Sequence, residues 1–80
     1  MDSIVTVYVK PGCVQCTATE RALVAKKVTF EIIDLSADEV ALEHVKELGY
    51  LQAPVVETTT AHWSGFRPDK IDELAETLVA

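Results

Sequence analysis

The chain has 80 residues and is expected to fold as one domain spanning residues 1–80, since domains begin at about 50 residues and a second would not fit. Hydrophobic residues make up 49% and charged residues 25%, a soluble globular balance that excludes disorder, and no apolar run reaches the roughly 20 residues of a membrane helix. The net charge of −6 makes nucleic acid a poor partner, and none is expected, because phosphate binding needs a basic surface.

Ile4, Val5, Val7, Tyr8 and Val9 form a β-rich run closed by Pro11-Gly12, which predicts a first strand buried on both faces. Val14 to about Lys27 favours a helix, with Ala18, Ala22, Leu23 and Ala25 on its apolar side and Lys26-Lys27 in the last turn, where cations suit the helix dipole. Val28 to Leu35 predicts a second strand. Ser36 and Asp38 are candidate caps of a second helix, whose stripe is Val40, Leu42, Val45 and Leu48 and whose end is marked by Gly49. Ala53-Pro54-Val55-Val56-Glu57 predicts a third strand, and Ala61-His62-Trp63-Ser64 a short fourth one. Thr58-Thr59-Thr60 lies between them without the Gly or Asn that tight hairpins prefer. Pro68 opens a last helix with an apolar face of Ile71, Leu74, Ala75, Leu78 and Val79. The order βαβαββα predicts an α/β fold: one four-stranded mixed sheet flanked by three helices. Its first two strands are parallel with a right-handed crossover, and its last two form a hairpin.

Charge is uneven along this frame. Residues 1–30 carry more basic than acidic side chains, whereas residues 31–60 hold seven acids against Lys46 alone. The acids are expected to form a solvated helix face. Both cysteines, Cys13 and Cys16, lie in the segment that is not acidic. Their C-x-x-C spacing sits just after a strand and at the start of a helix. The reactive species is the thiolate, and a helix N-terminus offers unpaired N–H groups and partial positive charge that lower a thiol pKa from about 8.5. Cys13 is therefore expected to be the nucleophile. Cys16, one turn deeper on the same side, is expected to resolve the mixed disulfide that Cys13 forms. One structural alternative is a plain structural disulfide, but a small secreted disulfide fold would need more cysteines and a secretory signal; the other is half of a zinc site. It needs two further ligands, and His44 and His62 lack the usual short spacing, so no metal is expected. Lys10 either adds positive potential near Cys13 or is a solvated lysine at a strand end. The N-terminus shows no signal peptide and the chain has no Asn to glycosylate, which together favour the cytoplasm.

Three blocks, Cys13-Val14-Gln15-Cys16, Gly49-Tyr50-Leu51-Gln52-Ala53-Pro54-Val55-Val56 and Trp63-Ser64-Gly65-Phe66-Arg67-Pro68-Asp69, make nearly the whole chain resemble the NrdH redoxins of the thioredoxin superfamily. That resemblance implies a thioredoxin fold and a thiol–disulfide oxidoreductase, glutaredoxin-like in sequence and thioredoxin-like in activity. It implies electron donation to a class Ib ribonucleotide reductase, and re-reduction by thioredoxin reductase with NADPH as source. No bound cofactor is implied, and the protein is expected to be a monomer. It further implies a cis Pro54 facing the cysteines, with the backbone of Ala53 pairing with an incoming strand. Val14, Gln15, Trp63, Gly65, Phe66 and Arg67 are expected to complete the partner-binding surface. Within it Trp63 is expected to be partly exposed, Phe66 to be core, and Arg67 to hold its loop through backbone carbonyls. Two departures bear on mechanism. Val14-Gln15 lacks the proline that many relatives place between the cysteines. No acid follows Asp2 in the first strand, so the proton acceptor for Cys16 is left open. Recycling by glutathione or mycothiol is the alternative within the same chemistry, and a dimer sharing a metal or cluster through two Cys13-Cys16 pairs is the alternative outside it.

Overall fold

A computed structural model describes residues 5–79, and the side chains of residues 5–77. Ile4 of the expected first strand, and the side chains of Leu78 and Val79, lie outside the described residues.

Seven elements follow in the expected order: β1 Thr6–Val9, α1 Val14–Ala25, β2 Glu31–Asp34, α2 Glu39–Glu47, β3 Val55–Glu57, β4 His62–Ser64 and α3 Pro68–Val79. The sheet order is β2-β1-β3-β4. β1 pairs parallel with β2 and antiparallel with β3, and β3 pairs antiparallel with β4. Each strand is shorter than the apolar run that announces it, because ladder pairing sets strand length and apolar character does not. Val28, for example, is buried at the foot of α1 before β2 begins.

The two faces of the sheet carry separate cores. On one, Val5, Val7, Val56 and Trp63 pack with Leu23 of α1 and Ile71 of α3. On the other, Tyr8 and Val55 pack with Leu35 and with Ala41 and Val45 of α2. Adjacent residues Val55 and Val56 therefore face opposite cores, as the two-residue period of a strand requires. Val40, expected in the α2 stripe, is exposed, and Ala41 takes the inward position. Asp38 rather than Ser36 caps α2, its carboxylate accepting from the Ala41 N–H at 3.0 Å, while Ser36 bonds back to Asp34.

Both helix ends use the same device. At α2, Gly49 (φ +96) donates to Lys46 O and Tyr50 to Val45 O, which satisfies two orphan carbonyls. At α1, Lys27 (φ +61) and Val28 make the equivalent bonds to Val24 O and Leu23 O. Lys26 and Lys27 thus lie past the helix rather than in its last turn, and Lys26 Nζ reaches Asp72 of α3 at 3.1 Å. In the hairpin, the Thr58 hydroxyl oxygen accepts from the N–H groups of Thr60 and Ala61, so a threonine side chain shapes a turn that has no glycine.

Candidate active site

The site forms where β1 ends. Chain leaving Val9 turns through Pro11-Gly12 and enters α1 with Cys13 as N-cap. Cys13 has extended backbone (φ −90, ψ 108), and its Sγ accepts from the Cys16 N–H at 3.1 Å. A sulfur thereby fills the place that Ser or Asp oxygen usually takes at a helix start. The Cys13 carbonyl accepts from the Thr17 N–H at 3.3 Å, closing the first helical turn. Cys13 and Cys16 are joined by a disulfide, with Cα atoms 5.2 Å apart. The two sulfurs are placed unequally: Cys13 is partly exposed, whereas Cys16 is only 3% exposed.

The register of Tyr8 with Val55 brings the end of β1 beside the entrance of β3, where the Ala53–Pro54 bond is cis. Hydrogen bonds tie the three sequence blocks together. The Phe66 N–H donates to Gln15 Oε1 at 3.2 Å, Gly65 N–H to Pro54 O at 2.8 Å, and the Ser64 hydroxyl to Gln52 O at 3.1 Å. Gln15 is thus the strut between α1 and the 64–67 segment. Gly65 has φ +86, a conformation that glycine adopts without steric cost, and a Cβ there would lie 3.5 Å from Gln15 Oε1.

The expected exposures of the two aromatics are reversed. Trp63 is 5% exposed, because β4 alternates and the residue between outward His62 and Ser64 must face the α1–α3 core. Phe66 is 38% exposed, because the strand has ended and no alternation draws its ring inward. The Trp63 Nε1 is buried without a partner among the described residues. Arg67 does not hold backbone carbonyls. Its guanidinium grips the Asp69 carboxylate through Nε (3.2 Å) and Nη2 (3.0 Å), which holds Asp69 below the usual carboxylate range and raises Arg67 above its own. Both side chains are exposed, so this pair shapes the start of α3 more than it stabilises it.

An open groove of about 350 Å³ runs beside the disulfide, lined by Val9, Lys10, Gly12, Cys13, Val14, Cys16, Thr17 and Glu20. Val14 at 83% exposed and Leu51 at 81% offer apolar surface to solvent close to the site in sequence. Thr17 and Glu20 do not stand out in the sequence, although their offsets of one and four from Cys16 are the signal that would have found them. Among the described residues no group of three or more His, Cys, Asp or Glu could hold a metal ion.

A glutaredoxin family model matches residues 5–63. The glutaredoxin-like protein NrdH of Escherichia coli strain K12 is 41% identical over 70 residues, covering 88% of this chain and 86% of that one. The Salmonella typhimurium NrdH is 38% identical over 73 residues, 91% of this chain and 90% of its own. The chain belongs to the NrdH redoxins. A solved structure of the E. coli NrdH-redoxin, described for its thioredoxin-like activity profile, superposes with a TM-score of 0.86 at 41% identity, covering 89% of this redoxin and 93% of that chain. The fold is thus thioredoxin-like, and this redoxin is a thiol–disulfide oxidoreductase whose redox centre is the Cys13–Cys16 pair.

Proposed function

We propose that this redoxin is a protein-disulfide reductase that supplies electrons to a class Ib ribonucleotide reductase and is recycled by thioredoxin reductase with NADPH. The unequal placement of the two sulfurs supports the reading most directly. In the reduced protein the Cys13 sulfur sits among the N–H groups that open α1, where a thiolate is favoured. Cys13 attacks a partner disulfide and one partner thiol leaves. Cys16, sheltered until then, attacks the Cys13 sulfur, releases the second thiol, and the Cys13–Cys16 bond forms. Two electrons pass to the partner for each bond made. Reduction by the reductase runs the same steps in reverse.

The partner strand pairs with the backbone of Ala53 ahead of Pro54, and Val14, Gly65 and the half-exposed Phe66 form the apolar surround. Gln15 and Arg67 hold that surround in shape, and buried Trp63 supports it from below. The protein acts as a monomer in the cytoplasm and binds no cofactor of its own. The NrdH relatives at 38–41% identity and the thioredoxin-like activity profile of the E. coli protein support the choice of donor.

The test is NADPH oxidation with thioredoxin reductase, this redoxin and a disulfide acceptor, followed by class Ib ribonucleotide reductase turnover with the redoxin as sole dithiol. Turnover in both assays is expected. Recycling only by a low-molecular-weight thiol and its reductase would overturn the donor assignment.

A further inference from the structure

Cys16 must lose a proton before it can attack, yet at 3% exposure bulk water reaches it poorly. No acid follows Asp2 in the first strand, so β1 brings none to it. Among the described residues, Glu20 is the one carboxylate that lines the groove beside the disulfide, and Cys16 lines the same groove. Both belong to α1, four residues apart. At that spacing Cβ atoms lie roughly 5–6 Å apart, and helical side chains lean toward the N-terminus, which puts the turn that carries Cys16 within reach of a Glu20 side chain. Glu20 is half-buried, and no ion pair or side-chain hydrogen bond engages it among the described residues. Its carboxylate is therefore uncommitted.

We propose that Glu20 is the proton acceptor for Cys16 in the resolving step. With a partner sulfur bonded to Cys13, the Cys16 thiol passes its proton to the Glu20 carboxylate. The electron pair left on Cys16 Sγ forms the bond to Cys13 Sγ. The Cys13–partner bond breaks and its electron pair leaves on the partner sulfur, which takes the proton back from Glu20. Glu20 ends as it began, the partner disulfide is reduced and the cysteine pair is oxidised. The inference rests on the order of attack proposed above, Cys13 first.

Simple electrostatics gives the opposite expectation, which makes the test sharp. A carboxylate beside a thiol disfavours the thiolate, so Glu20→Gln would speed resolution if charge alone mattered. The reduced redoxin is mixed with one equivalent of 5,5′-dithiobis(2-nitrobenzoate) and thionitrobenzoate release is followed by stopped flow. The first equivalent reports attack by Cys13, the second attack by Cys16. In Glu20→Gln the first phase is expected to keep its rate and the second to slow about tenfold or more at pH 7, a modest share of what general bases contribute. That deficit should vanish near pH 10, where hydroxide takes the thiol proton directly, and Glu20→Asp should recover part of the rate. A second phase that is unchanged, faster, or slowed equally at every pH overturns the proposal. A wild-type protein with no fast first phase would instead overturn the Cys13-first order.

Discussion

Cys13 and Cys16 are the same side chain in two environments, and the chemistry lies in the difference. One caps a helix at the rim of a groove, and the other is packed a turn below it. Cys13→Ser is expected to reduce disulfide reductase activity at least about 10³-fold, the scale of losing a covalent nucleophile. Cys16→Ser should keep the first attack and accumulate a mixed disulfide with the partner, seen as a shifted band on a non-reducing gel. Away from the site, Glu57 accepts from the Tyr8 hydroxyl at 3.0 Å and shares a 2.7 Å hydrogen bond with His44. Burial pushes its carboxyl up, but the bonds from His44 and Tyr8 outweigh burial and hold it below the ordinary 4.5. The stabilisation is therefore complete above pH 4.5 and is lost as pH falls below that. At the alkaline end, burial and then the Glu57 bond push Tyr8 up to about 12 from 10.0. Between those values the unfolded chain gives up a proton that the folded chain keeps, so stability falls again. Urea midpoints across pH should show both slopes, and Tyr8→Phe should flatten both.

At the scale of elements, the ends of helices carry the information. Lys27 adopts φ +61 to close α1, a conformation that costs a non-glycine residue roughly 1–2 kcal/mol. Lys27→Gly removes that cost but adds entropy to the unfolded chain, so a net gain of about 0.5–1 kcal/mol is expected in chemical denaturation. Within α1, the Thr19 hydroxyl is fully buried and has no partner among the described residues. Thr19→Val keeps the shape, deletes the orphaned group and is expected to stabilise by about 1 kcal/mol. A loss of stability would mean that the hydroxyl is satisfied in solution. These features explain why the predicted boundaries drift. Both lysines after Ala25 look like a favourable helix end, yet the turn that follows must be tight enough to bury Val28, and this pushes Lys27 out of the helix.

At the scale of the molecule, one sheet separates two cores, and neither survives without the strands they share. Val55 and Val56, both wholly buried, belong to different cores though they are neighbours in β3. The two faces should unfold together, with Trp63 fluorescence and far-ultraviolet circular dichroism giving coincident transitions. Leu23, wholly buried between α1 and the sheet, is expected to cost about 3–5 kcal/mol when cut to Ala. Against a total stability of about 5–15 kcal/mol, that loss is a large fraction, and the same pair of probes would measure it.

The order of elements, the parallel entry of the sheet and the reactive cysteine pair follow from sequence alone, because apolar period, caps and C-x-x-C spacing are local signals. Which aromatic faces solvent does not. Trp63 and Phe66 stand three residues apart with equal apolar character, and only the pairing of β4 on β3 turns the first into the core and leaves the second outside. The link from Gln15 to Phe66, across 51 residues, depends in the same way on how elements pack, and so does the groove, which sets the end of β1 against α1; that Glu20 follows Cys16 by one helical turn is local. Local sequence fixes what each segment prefers to be. Contacts between distant segments decide which side chains meet, because burial and hydrogen bonding reward proximity in space, and chain separation does not encode it.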